Sequence, residues 1–202
     1  MSEHARLTNM RRPYRLRARA EAMDRTTGQI VQAAVDLHGT IGPAATTMSA
    51  VAQRAGVARA TLYRHFPNEQ VLFAACSADW LAANPRPNMD RWIETADPVQ
   101  RLATALIELY GYYRATQQMR ANLLRDIGVM PEEIQAGIRG FPIAVADVLD
   151  PGWPASSDAR VRRALISHAV AFETWWSLAN GGLTDPEAAA LMVRLVVSVV
   201  DG

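Results

Sequence analysis

The stretch from Thr47 to Pro67 constrains the fold more than any other part of the chain. Thr47 is a residue type that caps helix N-termini, and Met48, Val51 and Ala52 behind it fall on one helical face. Gly56 supplies the left-handed residue that ends such a helix. Only Val57 and Ala58 intervene before a second short helix over 59–66, in which Leu62 and Phe66 lie one turn apart and face inward. Pro67 breaks it. Upstream, Ile30, Ala33, Ala34, Leu37 and Ile41 recur at helical spacing over residues 24–39, and Gly39 with the Gly42-Pro43 pair stops that helix. A longer helix followed by two short ones with a tight glycine-containing turn is a helix-turn-helix.

The same grammar continues to the end of the chain. Asn68 caps a helix running through Val71, Leu72, Ala75 and Leu81 to about residue 84, and 85–88 is a loop. Asp97-Pro98 opens a helix to about residue 116, with Leu102, Leu106, Leu109 and Tyr113 in register. A short helix near 119–127 ends at Gly128, and Pro131 opens another over 132–149 with a kink expected at Pro142. After a turn at 150–152, Ser157 or Asp158 caps one long helix to residue 179, which Gly181-Gly182 ends. Asp185-Pro186 opens the last helix, to about residue 200. No strand-like alternation bounded by hairpin turns occurs, so the fold class is all-α. The expected division is a basic arm at 1–23, a three-helix DNA-binding domain at 24–71, and a larger helical domain for ligand binding and dimerisation at 72–202.

Charge is distributed unevenly along this plan. Residues 1–70 hold ten arginines against five acidic groups, and residues 71–202 hold eleven against fifteen. A basic end on an acidic remainder is the asymmetry expected when that end meets a polyanion. Every basic side chain is arginine, able to make bidentate contacts. Cys76 is the only cysteine, which excludes an internal disulfide and any multi-cysteine zinc site and points to a reducing cytoplasm. No apolar run approaches the roughly 18 residues that span a bilayer; the longest, in 191–200, is interrupted by Arg194. The arginine-rich N-terminus lacks the apolar stretch of a secretory signal. Neither a membrane nor a cofactor is implied.

In a helix-turn-helix the second short helix enters the major groove, its N-terminal residues nearest base edges. Arg59 leads that helix, where a guanidinium matches guanine O6 and N7, and Ala60 permits close approach or contact with a thymine methyl. Thr61, Tyr63 and His65 offer donors to phosphate oxygens, and Arg64 is a candidate phosphate clamp. Thr46 and Thr47 add hydroxyl and backbone N–H contacts at the start of the preceding helix.

The run Thr46-Thr47-Met48, Val51-Ala52, Ala55-Gly56-Val57 and Thr61-Leu62-Tyr63-Arg64-His65-Phe66-Pro67 resembles the DNA-binding domain of the tetracycline-repressor (TetR) family, over roughly residues 24–72. The resemblance implies that Thr47, Thr61, Tyr63 and His65 contact the DNA backbone and that Met48, Arg59 and Ala60 face bases. It also implies a homodimer on double-stranded operator DNA, an all-helical ligand-binding domain, and repression relieved by a small-molecule effector. Three positions depart from the family pattern: His38 stands where an aromatic is frequent, Ala58 where Ser or Thr often caps, and Glu69 where Lys is usual. Glu69 cannot anchor a phosphate, and the arginines of the arm are the expected compensation.

The C-terminal region is rich in Trp, Met and Tyr. Phe172, Trp175 and Trp176, with Tyr110, Tyr113, Met119, Leu123, Met130 and His168, are the candidate lining of an apolar, adaptable effector pocket. Core packing and a dimer interface are the alternatives for the aromatic cluster, and Cys76 reads as a packing residue. In the last helix Ala188, Leu191, Met192, Leu195, Val196 and Val199 form a broad apolar face, extended by Val193, Val197 and Val200, which implies a twofold partner. An enzyme is disfavoured: there is no glycine-rich phosphate loop, no paired-histidine metal spacing, no nucleophile elbow and no catalytic set. An accessory DNA-binding protein without a ligand is the other alternative.

Overall fold

The structure, a computed structural model, describes residues 3–154 and 158–199, with side chains described from residue 21 onward. Among the described residues every regular element is a helix. They divide into two compact units, Met1–Ala83 and Asn84–Gly202. None of the described helices is long and apolar enough to cross a membrane.

The first unit holds α1 (Glu3–Thr40), α2 (Met48–Ala55), α3 (Arg59–His65) and α4 (Glu69–Ala83). The expected start of α1 at residue 24 is too late. The basic arm, which the sequence allows to be helical after Pro13, is helical from Glu3 and continuous with α1, and its Arg, Ala, Leu and Met residues are strong helix formers. The side chains of Arg6, Arg11, Arg12, Arg15, Arg17 and Arg19 lie outside the described ones. Ile30, Val31, Ala33 and Ala34 of α1 meet Val51 and Ala52 of α2, Leu62 of α3, Phe66, and Leu72 and Cys76 of α4 in one core. Thr47 caps α2, its hydroxyl accepting from the Ala50 N–H at 3.1 Å. Gly56 closes the helix at φ 68°, a left-handed conformation that side-chain-bearing residues resist. Asn68 Oδ1 accepts from the Val71 N–H at 2.9 Å, so the turn into α4 is capped as its sequence implies.

The second unit holds α5 (Met89–Ile93), α6 (Pro98–Arg125), α7 (Glu132–Leu149), α8 (Ala159–Ala169), α9 (Phe172–Asn180) and α10 (Asp185–Ser198). Its core gathers Leu102, Leu106 and Leu109 of α6, Phe141 and Val145 of α7, Ile166 of α8, Trp175 of α9 and Val196 of α10. Helix α5, which sequence periodicity does not foresee, is capped by Asn88 and buries Trp92, whose Nε1 donates to Glu108 at 2.8 Å. Helix α6 passes through the expected stop at residue 116. Thr116 stays in the helix by donating its hydroxyl to the Tyr112 carbonyl at 2.6 Å, one turn back. Helix α10 opens with a capping box between Thr184 and Glu187.

The expected single helix over 158–179 is broken at Val170 and Ala171. The sequence there holds neither Gly nor Pro. The cause is tertiary: Tyr110 donates its hydroxyl to the Ala169 carbonyl at 2.8 Å, and Tyr113 donates to the Val170 carbonyl at 2.7 Å. Two carbonyls freed at the end of α8 thus find buried donors, which offsets the lost helical bonds.

Candidate nucleic-acid interface

Helix α3 is held from beneath and open above. Leu62 and Phe66 are buried in the first unit's core, while Arg59, Ala60, Tyr63 and Arg64 are exposed. Ala58 caps α3 without a side-chain bond, so the entry to the helix rests on Gly56 and on the backbone bond from the Val57 N–H to the Ala52 carbonyl at 3.0 Å. The Arg59 guanidinium lies 5.9 Å from the centre of the Tyr63 ring one turn on. That contact pre-orders both side chains on the open face.

Electrostatically the face is unmatched. Arg54 of α2 pairs with Asp36 of α1 at 2.8 Å. Among the described residues no carboxylate pairs with Arg59 or Arg64. Two arginines left without a counter-ion on a rigid convex helix suit a polyanion. Glu69 sits in the first turn of α4, where a carboxylate favours the positive end of the helix dipole.

The other sequence-expected contacts are placed as follows. Thr47 is exposed and, accepting from Ala50, keeps its hydroxyl hydrogen available to a phosphate. Thr61 is half-buried on α3. His65 is half-buried and tied to α1, its Nδ1 lying 3.0 Å from the Thr27 hydroxyl. Thr46 donates its hydroxyl to Gly42 at 2.8 Å and its N–H to Pro43 at 3.0 Å. Both donors expected for phosphate are therefore occupied in ordering the turn before α2. Met48, expected from the resemblance to face bases, is 6% exposed and belongs to the core. Its apolar side chain follows the face it shares with Val51 and Ala52.

In the second unit Tyr113, Phe172, Trp175 and Trp176 form one aromatic cluster. The Tyr113 and Phe172 rings are 5.4 Å apart and edge-on, and Phe172 lies 5.5 Å from both Trp175 and Trp176. Tyr110 joins through Tyr113 at 6.4 Å. Burial pushes both tyrosine hydroxyls above their ordinary range, so they remain donors to the α8 carbonyls. Trp175 donates its Nε1 to Asp185 at 2.8 Å, and Arg114 grips the same carboxylate with two bonds of 2.7 and 2.8 Å. Met130 is buried, and Met119 and Leu123 are half-buried. His168 is exposed, and its Nδ1 lies 3.3 Å from the Thr174 hydroxyl. Sequence reasoning passed over Arg120, Tyr112, Phe141 and Arg86, which stand together beside this cluster. The available signal was Arg120 itself, a cation two helical turns beyond Tyr113 on the same side of α6.

The family of bacterial regulatory proteins named tetR matches residues 30–76. No curated protein sequence matches the chain. Among solved structures, a TetR-like transcriptional regulator from Rhodococcus sp. RHA1 is 22% identical with a TM-score of 0.59, over 88% of this chain and 96% of its own. The transcriptional regulator FadR from Bacillus subtilis, solved with stearoyl-CoA, is 20% identical with a TM-score of 0.59, over 85% of this chain and 98% of its own. NalD from Pseudomonas aeruginosa, the secondary repressor of the MexAB-OprM multidrug efflux pump, is 20% identical with a TM-score of 0.52, over 89% and 97%. Likenesses at this identity are likenesses of fold. The chain carries the helix-turn-helix domain of the tetR family at residues 30–76, on a fold shared along most of its length with TetR-type transcriptional regulators.

Proposed function

We propose that the protein is a regulator, not an enzyme, acting in the cytoplasm as a homodimer that represses transcription from a palindromic operator and is released by a small effector with an apolar or aromatic body. The observation that carries the reading is the exposed face of α3. Among the described residues Arg59 and Arg64 stand there without carboxylate partners, on a helix fixed from below by Leu62 and Phe66. Arg59 reads base edges, Ala60 lets the helix approach the groove floor, and Thr47, Thr61, Tyr63, Arg64 and His65 hold phosphates. FadR in complex with stearoyl-CoA and NalD as a repressor, both of this fold, support the effector and repressor parts. The aromatic cluster around Tyr113 and Phe172 supplies apolar walls for the effector.

Arg59→Ala tests the reading of bases. Measured on an operator and on each single-base variant, it should cost about 1–3 kcal/mol and relax preference at one symmetric pair of positions. Uniform weakening, with the preference profile intact, would make Arg59 a phosphate contact and leave discrimination to Ala60. Arg64→Ala should weaken all sequences alike and lower the salt slope by about one.

A further inference from the structure

Arg120 is enclosed by rings. Its guanidinium carbon lies 4.8 Å from the centres of both Tyr112 and Tyr113 and 5.4 Å from that of Phe141. A second cation, Arg86, lies 4.5 Å from the centre of the same Phe141 ring. Among the described residues no carboxylate pairs with either arginine. Glu173 is close enough for its charge to act on the Tyr113 hydroxyl, yet it pairs with neither. Among the described residues Arg120 Nε and the Tyr112 hydroxyl are buried without hydrogen-bond partners, and Tyr112 is only 9% exposed.

Ring contacts engage the face of a guanidinium, whereas its N–H donors lie in its plane. The ring contacts therefore leave the Nε–H of Arg120 unmet among the described residues. Buried polar groups are otherwise almost always bonded, and a second cation against the same Phe141 ring adds to the positive charge there. An oxyanion against Arg120 would answer the unmet Nε–H and the charge together. Arginine prefers planar, bidentate acceptors, which is the shape of a carboxylate.

We propose that the effector is an organic acid whose carboxylate is received by Arg120 and the Tyr112 hydroxyl, with Arg86 adding positive charge and the apolar body lying against the neighbouring rings. The inference rests on the effector reading above and narrows its chemistry from apolar to amphiphilic and acidic.

Calorimetric titration of the full-length protein with paired acids and alcohols tests it: phenylacetate against phenylethanol, dodecanoate against dodecanol, and inorganic phosphate alone. At least one acid should bind about tenfold or more tightly than its alcohol. Arg120→Met, which keeps the packing of the stem, should remove that preference, bringing the acid's affinity down to that of its alcohol. Tyr112→Phe and Arg86→Gln should each reduce it, and they carry the test alone if Arg120→Met does not fold. Acids binding no better than alcohols, no acid binding at all, or phosphate alone binding as tightly as the acids would overturn the proposal. Operator affinity, measured with each compound, separates this failure from that of the effector reading. Release by an alcohol as readily as by its acid would sink acid recognition and leave an effector. Acid binding through Arg120 with no change in operator affinity would leave an anion site and sink the effector.

Discussion

His38 occupies a helix position where a hydrocarbon ring would serve, and it behaves as one. Its ring stacks on Phe73 at 4.6 Å, and its Nδ1 lies 3.6 Å from the Cys76 thiol. Burial lowers its pKa from 6.5 to about 4, because the charged ring would lose its hydration. Between those values the unfolded chain binds a proton that the folded chain does not. The stabilisation is thus complete above pH 6.5 and is lost as pH falls toward 4, by up to about 3 kcal/mol. His38→Phe should remove this part of the acid sensitivity. Urea unfolding at pH 7.5 and pH 5 reads it: the wild type should lose more stability than the variant, and equal losses would contradict the assignment. Cys76 follows the same logic. Burial pushes its thiol up to about 12, and it packs in the core as a small apolar group. A thiol reagent should therefore modify it only on unfolding, and rapid alkylation of the native protein would show otherwise.

Elements whose ends are written in local chemistry were legible, and elements ended by distant partners were not. Thr47, Gly56 and Asn68 each announce a cap or stop, and each makes the predicted bond or backbone turn. The division between α8 and α9 is invisible in its own residues, because the donors that stabilise it come from Tyr110 and Tyr113 on α6. Met48 carries two signals: the resemblance places it towards DNA, and its register with Val51 and Ala52 places it in the core, where it is buried. Nor does a sequence announce that a cation such as Arg120 will lack a partner, since that depends on which carboxylates the fold brings near. Removing either tyrosine hydroxyl leaves a freed carbonyl without its donor. Tyr110→Phe and Tyr113→Phe should each cost about 1–3 kcal/mol in urea or thermal unfolding. A double variant costing no more than either single one would show that the two bonds act as one unit, whereas no loss in either single variant would remove the tyrosines as the cause of the break.

At the scale of the whole molecule, the first third is basic and the remainder acidic, as the proposed division between DNA binding and regulation requires. Helix α10 buries Ala188, Ala189, Met192 and Val196, while Leu195 remains 44% exposed with Leu191 and Val199 half-buried. Together with exposed Val161 on α8, this leaves an apolar face suited to the second copy that the proposed palindromic operator would require. Leu195→Glu should give monomers in sedimentation and loss of operator binding; a wild type that sediments as a monomer at micromolar concentration would refute the dimer. The central claim is that this dimer reads DNA sequence through α3, and selection of bound fragments from a random pool of duplex DNA tests it most directly. The account predicts enrichment of an inverted repeat whose half-sites share one motif, with a guanine where Arg59 reaches. Recovery of fragments without a common motif, at the same yield as the starting pool, would contradict it.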